Sequence, residues 1–146
     1  MDQTSFREIS YNSDEYHQIL KLRNESLRLP LGLSIYDEDL EMDKSSMHIC
    51  GHRDDSIVAC CIITPLDEHT AKVRQVAVAE KHRKQGIGSK LLDYVDAICR
   101  EKGFNTLVAN VRKHAVDLYT KKNWTIISDE FMEVGIPHVK MSKSIA

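Results

Sequence analysis

The feature of this chain that most constrains its fold is the segment 76–92. An apolar, β-branched run is followed by a basic loop with Gly86 and Gly88, and an amphipathic pattern begins directly after that loop. This order predicts a strand, a tight turn and the N-terminus of a helix. Backbone N–H groups at a helix start, next to Arg83 and Lys84, are suited to binding phosphate oxygens. The segment therefore predicts a ligand that carries phosphate.

Two other glycine motifs do not fit this segment. A dinucleotide fingerprint requires a third glycine at the position of Leu91, and a P-loop requires the order Gly-Lys-Ser, whereas residues 88–90 are Gly-Ser-Lys. The remaining alternative is a turn before a surface helix, in which the cations are only solvated. The strand before the loop, the helix after it and the cations Lys81, Arg83 and Lys84 together favour the phosphate site.

Length and charge exclude several classes of protein. The 146 residues contain no repeat and no linker rich in Pro, Gly or Ser, so we expect a single domain over residues 1–146. A formal net charge of −2 argues against binding to nucleic acid. No apolar run approaches the roughly 18 residues of a membrane span. Residues 1–5 lack the basic and apolar regions of a signal peptide, which predicts a cytoplasmic protein.

The cysteines and histidines favour structural roles over metal binding. The four cysteines show no C-x-x-C spacing, and we expect free, mostly buried thiols. His48, Cys50 and His52 alternate along a predicted strand and share one face, but a fourth ligand is missing. We therefore predict a solvent-facing strand edge at these positions and no metal.

Periodicity and turn residues divide the chain into strands and helices. Apolar positions after Ser13 or Asp14 predict a helix that ends before Pro30. Residues 31–44 show no period and are predicted as a loop that can include a helical turn. Further helices are predicted over residues 88–102 and 115–122. Strands are predicted over residues 6–9, 47–51, 57–64, 70–78, 106–111, 124–127 and 138–141. Strands come first as a meander and later alternate with helices, which predicts an α/β fold with three layers, α/β/α, and a mixed central β-sheet.

The basic loop and a second stretch further along the chain resemble motifs of one protein family. Residues 83–88, Arg-Lys-Gln-Gly-Ile-Gly, match the Arg/Gln-x-x-Gly-x-Gly/Ala pyrophosphate loop of the GNAT family of N-acetyltransferases. Residues 74–78 resemble the cofactor-binding strand of that family. Residues 110–124 resemble its second motif, with Asn123 and Trp124 in place of Gly and Phe. Asn tolerates a left-handed turn nearly as well as Gly, so this departure changes little.

The resemblance implies a domain that binds acetyl-coenzyme A. It implies that the loop amides hold the pyrophosphate and that residues 75–78 pair with the peptide-like pantetheine arm. A backbone N–H of the same strand would stabilise the oxyanion that forms during acetyl transfer. The residues expected to contact the cofactor are Val76, Ala77, Val78, Arg83, Lys84, Gln85, Gly86, Ile87, Gly88, Ser89, Asn110 and Tyr119.

Two residues are candidates for proton transfer. The resemblance places Tyr119 beside the cofactor sulfur, and a phenol can protonate a departing thiolate because the two groups have similar pKa values. At residues 133–141 the chain is similar to a small-molecule subgroup that includes glyphosate N-acetyltransferase and ElaA-like proteins, which implies a catalytic base at His138. A neutral histidine accepts a proton readily near pH 7. The alternatives are a tyrosine packed on the sheet and a histidine at the surface.

Arg23, Arg74 and Arg112 are the candidate residues for binding the acceptor molecule, and Lys21 and Arg28 are weaker candidates. Guanidinium groups bind carboxylate and phosphonate through paired hydrogen bonds. These three would converge if the first helix, the cofactor strand and the strand after Thr106 line one cleft. Otherwise they would face solvent, as most charged residues on strands do.

The sequence as a whole predicts an enzyme. It would transfer acetyl from acetyl-coenzyme A to the primary amine of a small, anionic molecule by direct attack, as a monomer or homodimer. Two alternatives remain at this point: a protein or peptide acetyltransferase with an open groove, and a non-catalytic module that binds acyl-coenzyme A. Function depends on the site rather than the fold, so the placement of these side chains decides among them.

Overall fold

The computed structural model describes residues 4–146, so residues 1–3 of the N-terminal segment considered above lie outside the described part. The strands are β1 (Ser5–Ile9), β2 (Met47–Arg53), β3 (Ser56–Pro65), β4 (Thr70–Val78), β5 (Thr106–Arg112), β6 (Thr125–Ile126), β7 (Phe131–Glu133) and β8 (Ile136–Ser144). The helices are α1 (Asp14–Leu27), α2 (Ile87–Glu101) and α3 (Val116–Lys121). Over residues 4–146, no helix combines the length and apolar character needed to cross a bilayer.

The described strands form one mixed sheet. Its order is β1-β2-β3-β4-β5-β8-β6, and β7 also pairs with β8. Every neighbouring pair is antiparallel except β4 and β5, which are parallel. The parallel pair is connected through α2, as parallel neighbours require a crossover.

Helices cover both faces of the sheet. On one face α1 packs through residues such as Ile19 into a core that includes Cys60. On the other face α2 and α3 pack through Leu91 and Tyr119 into a core that includes Cys61. The adjacent residues Cys60 and Cys61 enter opposite cores because successive side chains of a strand point to opposite faces. The predicted three-layer α/β/α fold with a mixed sheet is confirmed.

Several element boundaries lie where the sequence has capping or turn residues. The hydroxyl of Ser13 accepts a hydrogen bond from the amide of Tyr16 at 3.2 Å, which caps the start of α1. Gly103 has a φ of +93° just after α2. Asn123 has a φ of +71°, so it adopts the left-handed turn that its position in the motif requires. Most predicted strands and helices are confirmed to within two residues.

The C-terminal region differs from the prediction. β7 was not predicted, and β8 has nine residues rather than the four expected. Val134, with a φ of +46°, and Gly135, with a φ of +79°, form a two-residue turn that joins the two strands. A strand of three residues is too short to show a period in the sequence.

The prediction of a solvent-facing strand edge at His48 and Cys50 is wrong. β2 lies between β1 and β3, and both side chains are buried beneath α1. The Nε2 of His48 donates to the carbonyl oxygen of Asp43 at 2.8 Å. The four cysteines are free and buried, as expected. Within the described residues, no group of His, Cys, Asp and Glu side chains is arranged to hold a metal ion.

Candidate active site

A cleft opens where β4 and β5 separate. In the described chain the two strands pair only through residues 70–72 of β4 and 106–108 of β5, and they diverge after that. The resulting cleft has a volume of about 760 Å³ and is lined by β4, β5, α3, the end of α1 and the β7–β8 hairpin. Ligands commonly bind at such a divergence of parallel strands. The volume is that of a small-molecule site.

A bulge in β4 shapes one wall of the cleft. Ile62 of β3 lies opposite Arg74, whereas Cys60 lies opposite Ala77, so two residues of β4 face one residue of β3. Gln75 occupies the bulge with a φ of +51°, an uncommon conformation for a residue with a side chain. After the bulge, residues 76–78 line the cleft.

The turn between β4 and α2 presents backbone amides. Lys84 and Gly86 have φ values of +62° and +80°, and α2 starts at Ile87. α2 has no side-chain N-cap and no acidic residue in its first turn. The first amides of a helix have no partner within the helix, and the helix dipole makes them attractive to an anion. This turn is therefore suited to hold a phosphate group.

Close packing brings the start of α2 against α3. A Cβ atom at Gly88 would lie 3.3 Å from Cδ2 of Leu118, the residue before Tyr119. The side chain of Ile87 is buried in the core, so only its backbone is available to a ligand. The glycine therefore allows the helix start and the tyrosine to share one cleft.

Two side chains of the turn are held by hydrogen bonds. The Nε of Arg83 donates to the carbonyl oxygen of Val78 at 3.0 Å. The side-chain oxygen of Gln85 accepts a hydrogen bond from Arg53 at 2.6 Å. Both bonds tie the turn back to the sheet, which limits the conformations available to its amides.

Tyr119 lies in α3 and lines the cleft. Its ring packs edge-on against Trp124 with the ring centroids 5.2 Å apart. Burial raises the pKa of the Tyr119 phenol well above its ordinary value, because the anionic form would lose its hydration. The phenol therefore stays protonated near neutral pH, and it is a weaker acid than a free phenol.

His138 lies on β8 and also lines the cleft, with 3% of its surface exposed. Its Nδ1 is 2.9 Å from the carbonyl oxygen of Ile136. A carbonyl only accepts hydrogen bonds, so Nδ1 carries the proton and Nε2 presents a lone pair when the ring is neutral. Nε2 lies 3.5 Å from Oε2 of Glu133, and the other oxygen of Glu133 accepts a hydrogen bond from Asn110 at 2.9 Å.

Two of the three predicted arginines meet in the cleft. Arg74 and Arg112 line it and are both half-buried. Arg112 donates from Nη2 to the carbonyl oxygen of Leu27 at 2.8 Å, and Arg74 lies with its Nη1 3.4 Å from Oγ1 of Thr64. Burial lowers the pKa of both guanidinium groups. Arginine nevertheless remains charged in proteins, so both are cations in the cleft.

Arg28 adds a third guanidinium to the cleft. It is buried at the end of α1 and forms an ion pair with Glu38, with Nε 2.5 Å from the carboxylate. Its positive charge contributes to lowering the pKa of Arg112. The cleft therefore contains a cationic end formed by Arg28, Arg74 and Arg112.

Arg23 does not belong to this group, which corrects the expectation that all three predicted arginines converge. Its side chain is fully buried between α1 and the sheet. Nη1 donates to Asp43 at 2.8 Å, and Nε donates to the side-chain oxygen of Gln75. Asp43 also accepts a hydrogen bond from the hydroxyl of Tyr16 at 2.6 Å. Arg23 faces inward because a carboxylate in the core pairs with it.

Most of the predicted site residues are brought together. Those that line the cleft are Arg74, Val76, Ala77, Val78, Arg83, Gly88, Asn110, Arg112, Tyr119 and His138. The other predicted cofactor-binding residues do not line the cleft. They lie in the loop between β4 and α2 or at the start of α2, and they are Lys84, Gln85, Gly86, Ile87 and Ser89.

Glu133 and the side-chain role of Gln75 were not predicted, and Arg28 was predicted only as a weaker candidate. Glu133 precedes the turn at Gly135, and that glycine was the available signal for a hairpin that places Glu133 near His138. Gln75 was assigned to a regular strand, and the sequence contains no signal for the bulge.

Comparison with known proteins gives a consistent result. The model of the acetyltransferase (GNAT) family matches residues 14–124. The Bacillus subtilis protein YyaT is 37% identical to this chain over 78 residues. The aligned region covers 53% of this chain and 53% of YyaT, so the match spans about half the length of that relative.

Solved structures agree over nearly the whole chain. Escherichia coli ElaA superposes with a TM-score of 0.83 at 19% identity, covering 96% of this chain and 99% of ElaA. A GNAT family acetyltransferase from Elizabethkingia anophelis, crystallised with acetyl-CoA bound, superposes with a TM-score of 0.75 at 21% identity, covering 99% of each chain. At these identities the likeness establishes the fold.

Proposed function

We propose that this chain, which belongs to the acetyltransferase (GNAT) family, transfers acetyl from acetyl-coenzyme A to the primary amine of a small, anionic molecule. Family membership makes it an acetyltransferase that uses acetyl-coenzyme A. The acceptor class is our inference from the side chains of the cleft. The observation that supports it most strongly is that the uncapped start of α2, two candidate proton-transfer residues and three arginines meet at one cleft.

The residues around the α2 start fit the phosphorylated part of acetyl-coenzyme A. The first amides of α2 and the cations Arg83 and Lys84 would bind the pyrophosphate. Gly86 has no side chain to cover those amides. The backbone of residues 76–78 would bind the pantetheine arm as an added strand does. We keep Asn110 as a cofactor-contact prediction, although its side chain already donates to Glu133.

The cationic end supports an anionic acceptor. Arg74 and Arg112 line the cleft. A carboxylate or phosphonate of the acceptor would bind their guanidinium groups through paired hydrogen bonds. Arg28 increases the positive potential of the same region. A cationic polyamine would meet repulsion from Arg74 and Arg112, whereas Glu38 offsets the charge of Arg28.

Acetyl-coenzyme A supplies an activated thioester. His138 would take a proton from the acceptor's ammonium group at Nε2, which leaves a neutral amine able to attack. A C–N bond then forms and the C–S bond breaks. Tyr119 would give its phenolic proton to the departing sulfur and recover a proton as the amide nitrogen loses its second one. The net products are an amide, a thiol and one proton released through His138.

A screen of amine acceptors tests this proposal. Thiol release from acetyl-coenzyme A would be followed with amino acids, aminophosphonates, polyamines, aminoglycosides and peptides. We expect turnover with the anionic amines of low mass. Turnover confined to polyamines, aminoglycosides or peptides would contradict the proposed acceptor class.

A further inference from the structure

The β7–β8 hairpin places one acidic side chain, Glu133, and one basic side chain, His138, on the same face. Its register places Phe131 opposite His138, and Glu133 lies two residues from Phe131 on the same strand. Alternate residues of a strand share a face, so Glu133 lies on the same face as His138. The ring of Phe131 stacks on His138 with the centroids 6.0 Å apart. The two functional groups are therefore held by packing and by strand register.

The pair consists of two hydrogen-bond acceptors that face each other. Nε2 of neutral His138 has a lone pair because Nδ1 donates to Ile136, and it lies 3.5 Å from Oε2 of Glu133. The other carboxylate oxygen is occupied by Asn110. Two neighbouring acceptors favour a ligand that brings several N–H donors to one point, and a primary ammonium has three.

The charges around Glu133 point to the same ligand. Lys72, Arg74 and Arg112 all line the cleft, and the negative charge of Glu133 acts on each of them. These three cations alone would repel an ammonium group. Glu38, the other carboxylate of the cleft lining, is paired with Arg28. Glu133 therefore offers an ammonium group a favourable place within a cationic cleft.

We propose that the acceptor's primary ammonium binds beside Nε2 of His138 and Oε2 of Glu133, which are close enough for one nitrogen to donate to both, so that Glu133 determines specificity for amines. This inference rests on the proposed function and extends it to a zwitterionic acceptor, whose anionic group lies on the arginines. One proton passes from the ammonium to Nε2, and the carboxylate stabilises the imidazolium that forms. The nitrogen then has its lone pair for attack while Glu133 still accepts one of its N–H groups.

The test compares Glu133→Gln with Glu130→Gln. Glu130 is a matched control because its side chain is 46% exposed against 45% for Glu133, and it pairs with Lys113 rather than lining the cleft. Thiol release would be measured with glycine, 2-aminoethylphosphonate and spermidine. For the amine that the wild type uses best, E133Q should lower kcat/KM by about 10- to 100-fold, the range for losing a hydrogen bond to a charged group. The KM for acetyl-coenzyme A should stay unchanged, and E130Q should match the wild type.

A binding measurement separates recognition of the ammonium from a structural effect. Calorimetry with the coenzyme A complex would compare 2-aminoethylphosphonate with ethylphosphonate, which lacks the amine. The wild type and E130Q should prefer the amine, and E133Q should lose that preference while binding ethylphosphonate as the wild type does. Equal loss of both ligands would overturn the inference, because it would mean that the cleft itself has changed.

The outcomes distinguish this inference from the proposed function. If anionic amines are acetylated and E133Q equals the wild type, the ammonium site is wrong and the function stands. If spermidine is preferred and E133Q loses activity toward it, the anionic acceptor class is wrong and the ammonium site stands. A wild-type protein that acetylates none of the three amines and shows no preference for 2-aminoethylphosphonate would overturn both.

Discussion

The two ends of the cleft are built in different ways. At the cofactor end the amides come from one continuous turn, in which Arg83 bonds to Val78 five residues away, and Arg53 supports that turn from outside through Gln85. At the acceptor end Arg112 bonds to Leu27 across 85 residues, and Asn110 bonds to Glu133 across 23. A site made from one continuous segment is visible in its sequence, whereas a site assembled from distant segments depends on the whole fold.

This difference separates the expected effects of substitutions. Changes at the cofactor end should alter affinity for acetyl-coenzyme A, and changes at the acceptor end should alter turnover or acceptor binding. Changes in the buried network behind the acceptor end should alter stability.

His138→Ala should cause the largest loss of activity. Removing a general base costs about 10²- to 10⁴-fold in turnover. Affinity for coenzyme A, measured by calorimetry, should stay as in the wild type because the imidazole belongs to the acceptor end. His69→Ala, which removes an exposed histidine, serves as the control. Normal turnover of H138A between pH 6 and 8 would dismiss His138 as the base.

Arg23→Ala should lower stability rather than act on the acceptor directly. Removing one partner of a fully buried ion pair costs about 3–5 kcal/mol in free energy of unfolding, because the carboxylate of Asp43 is left without its partner. Chemical denaturation measures this. Arg7→Ala, which breaks the exposed pair with Glu15, should change stability little. A stable R23A protein with a raised acceptor KM would restore Arg23 to the acceptor site.

Tyr119→Phe should slow acetyl transfer by about 10²-fold if the phenol protonates the sulfur. Since burial raises the pKa of Tyr119, ionisation of this phenol should cause no loss of rate between pH 7 and 9. Tyr94→Phe changes a partly buried tyrosine outside the cleft lining and should leave the rate unchanged. If Y119F weakens coenzyme A binding as much as it slows transfer, Tyr119 has a packing role.

Arg112→Lys should raise the KM for an anionic amine by about tenfold, because lysine keeps the charge but loses the paired hydrogen bonds. Steady-state kinetics with 2-aminoethylphosphonate measures this. Arg100→Lys is the control, since Arg100 also donates to a backbone carbonyl, that of Ile145, at 2.9 Å but lies outside the cleft lining. Equal KM values for both variants would remove Arg112 from the proposed acceptor site.

Much of the fold could be predicted from the sequence because its signals are local. Ser13, Gly103 and the alternating apolar residues of the strands act within a few positions. The loop before α2 was predictable for the same reason. The short strand β7 was not, since three residues show no period and its pairing is decided by β8.

The acceptor end was only partly predictable because charge alone does not tell where an arginine points. Arg23 and Arg112 look alike in the sequence, yet Arg23 pairs with Asp43 in the core and Arg112 lines the cleft. The partner of Arg23 lies 20 residues further along, in a segment predicted as a loop. The roles of the site residues remain predictions that the experiments above test.

Acetyl transfer in this cleft requires the backbone amides at the start of α2 to hold the phosphates of acetyl-coenzyme A. Calorimetry of coenzyme A with Gly86→Val tests this directly, and Gly32→Val is a matched control because Gly32 has a similar φ of +75° and also has open space around it. Both variants should lose stability alike. G86V should raise the Kd for coenzyme A by at least about tenfold, since the new side chain and backbone strain disturb the amides, and G32V should bind as the wild type does. Equal affinity in all three proteins would contradict the central claim.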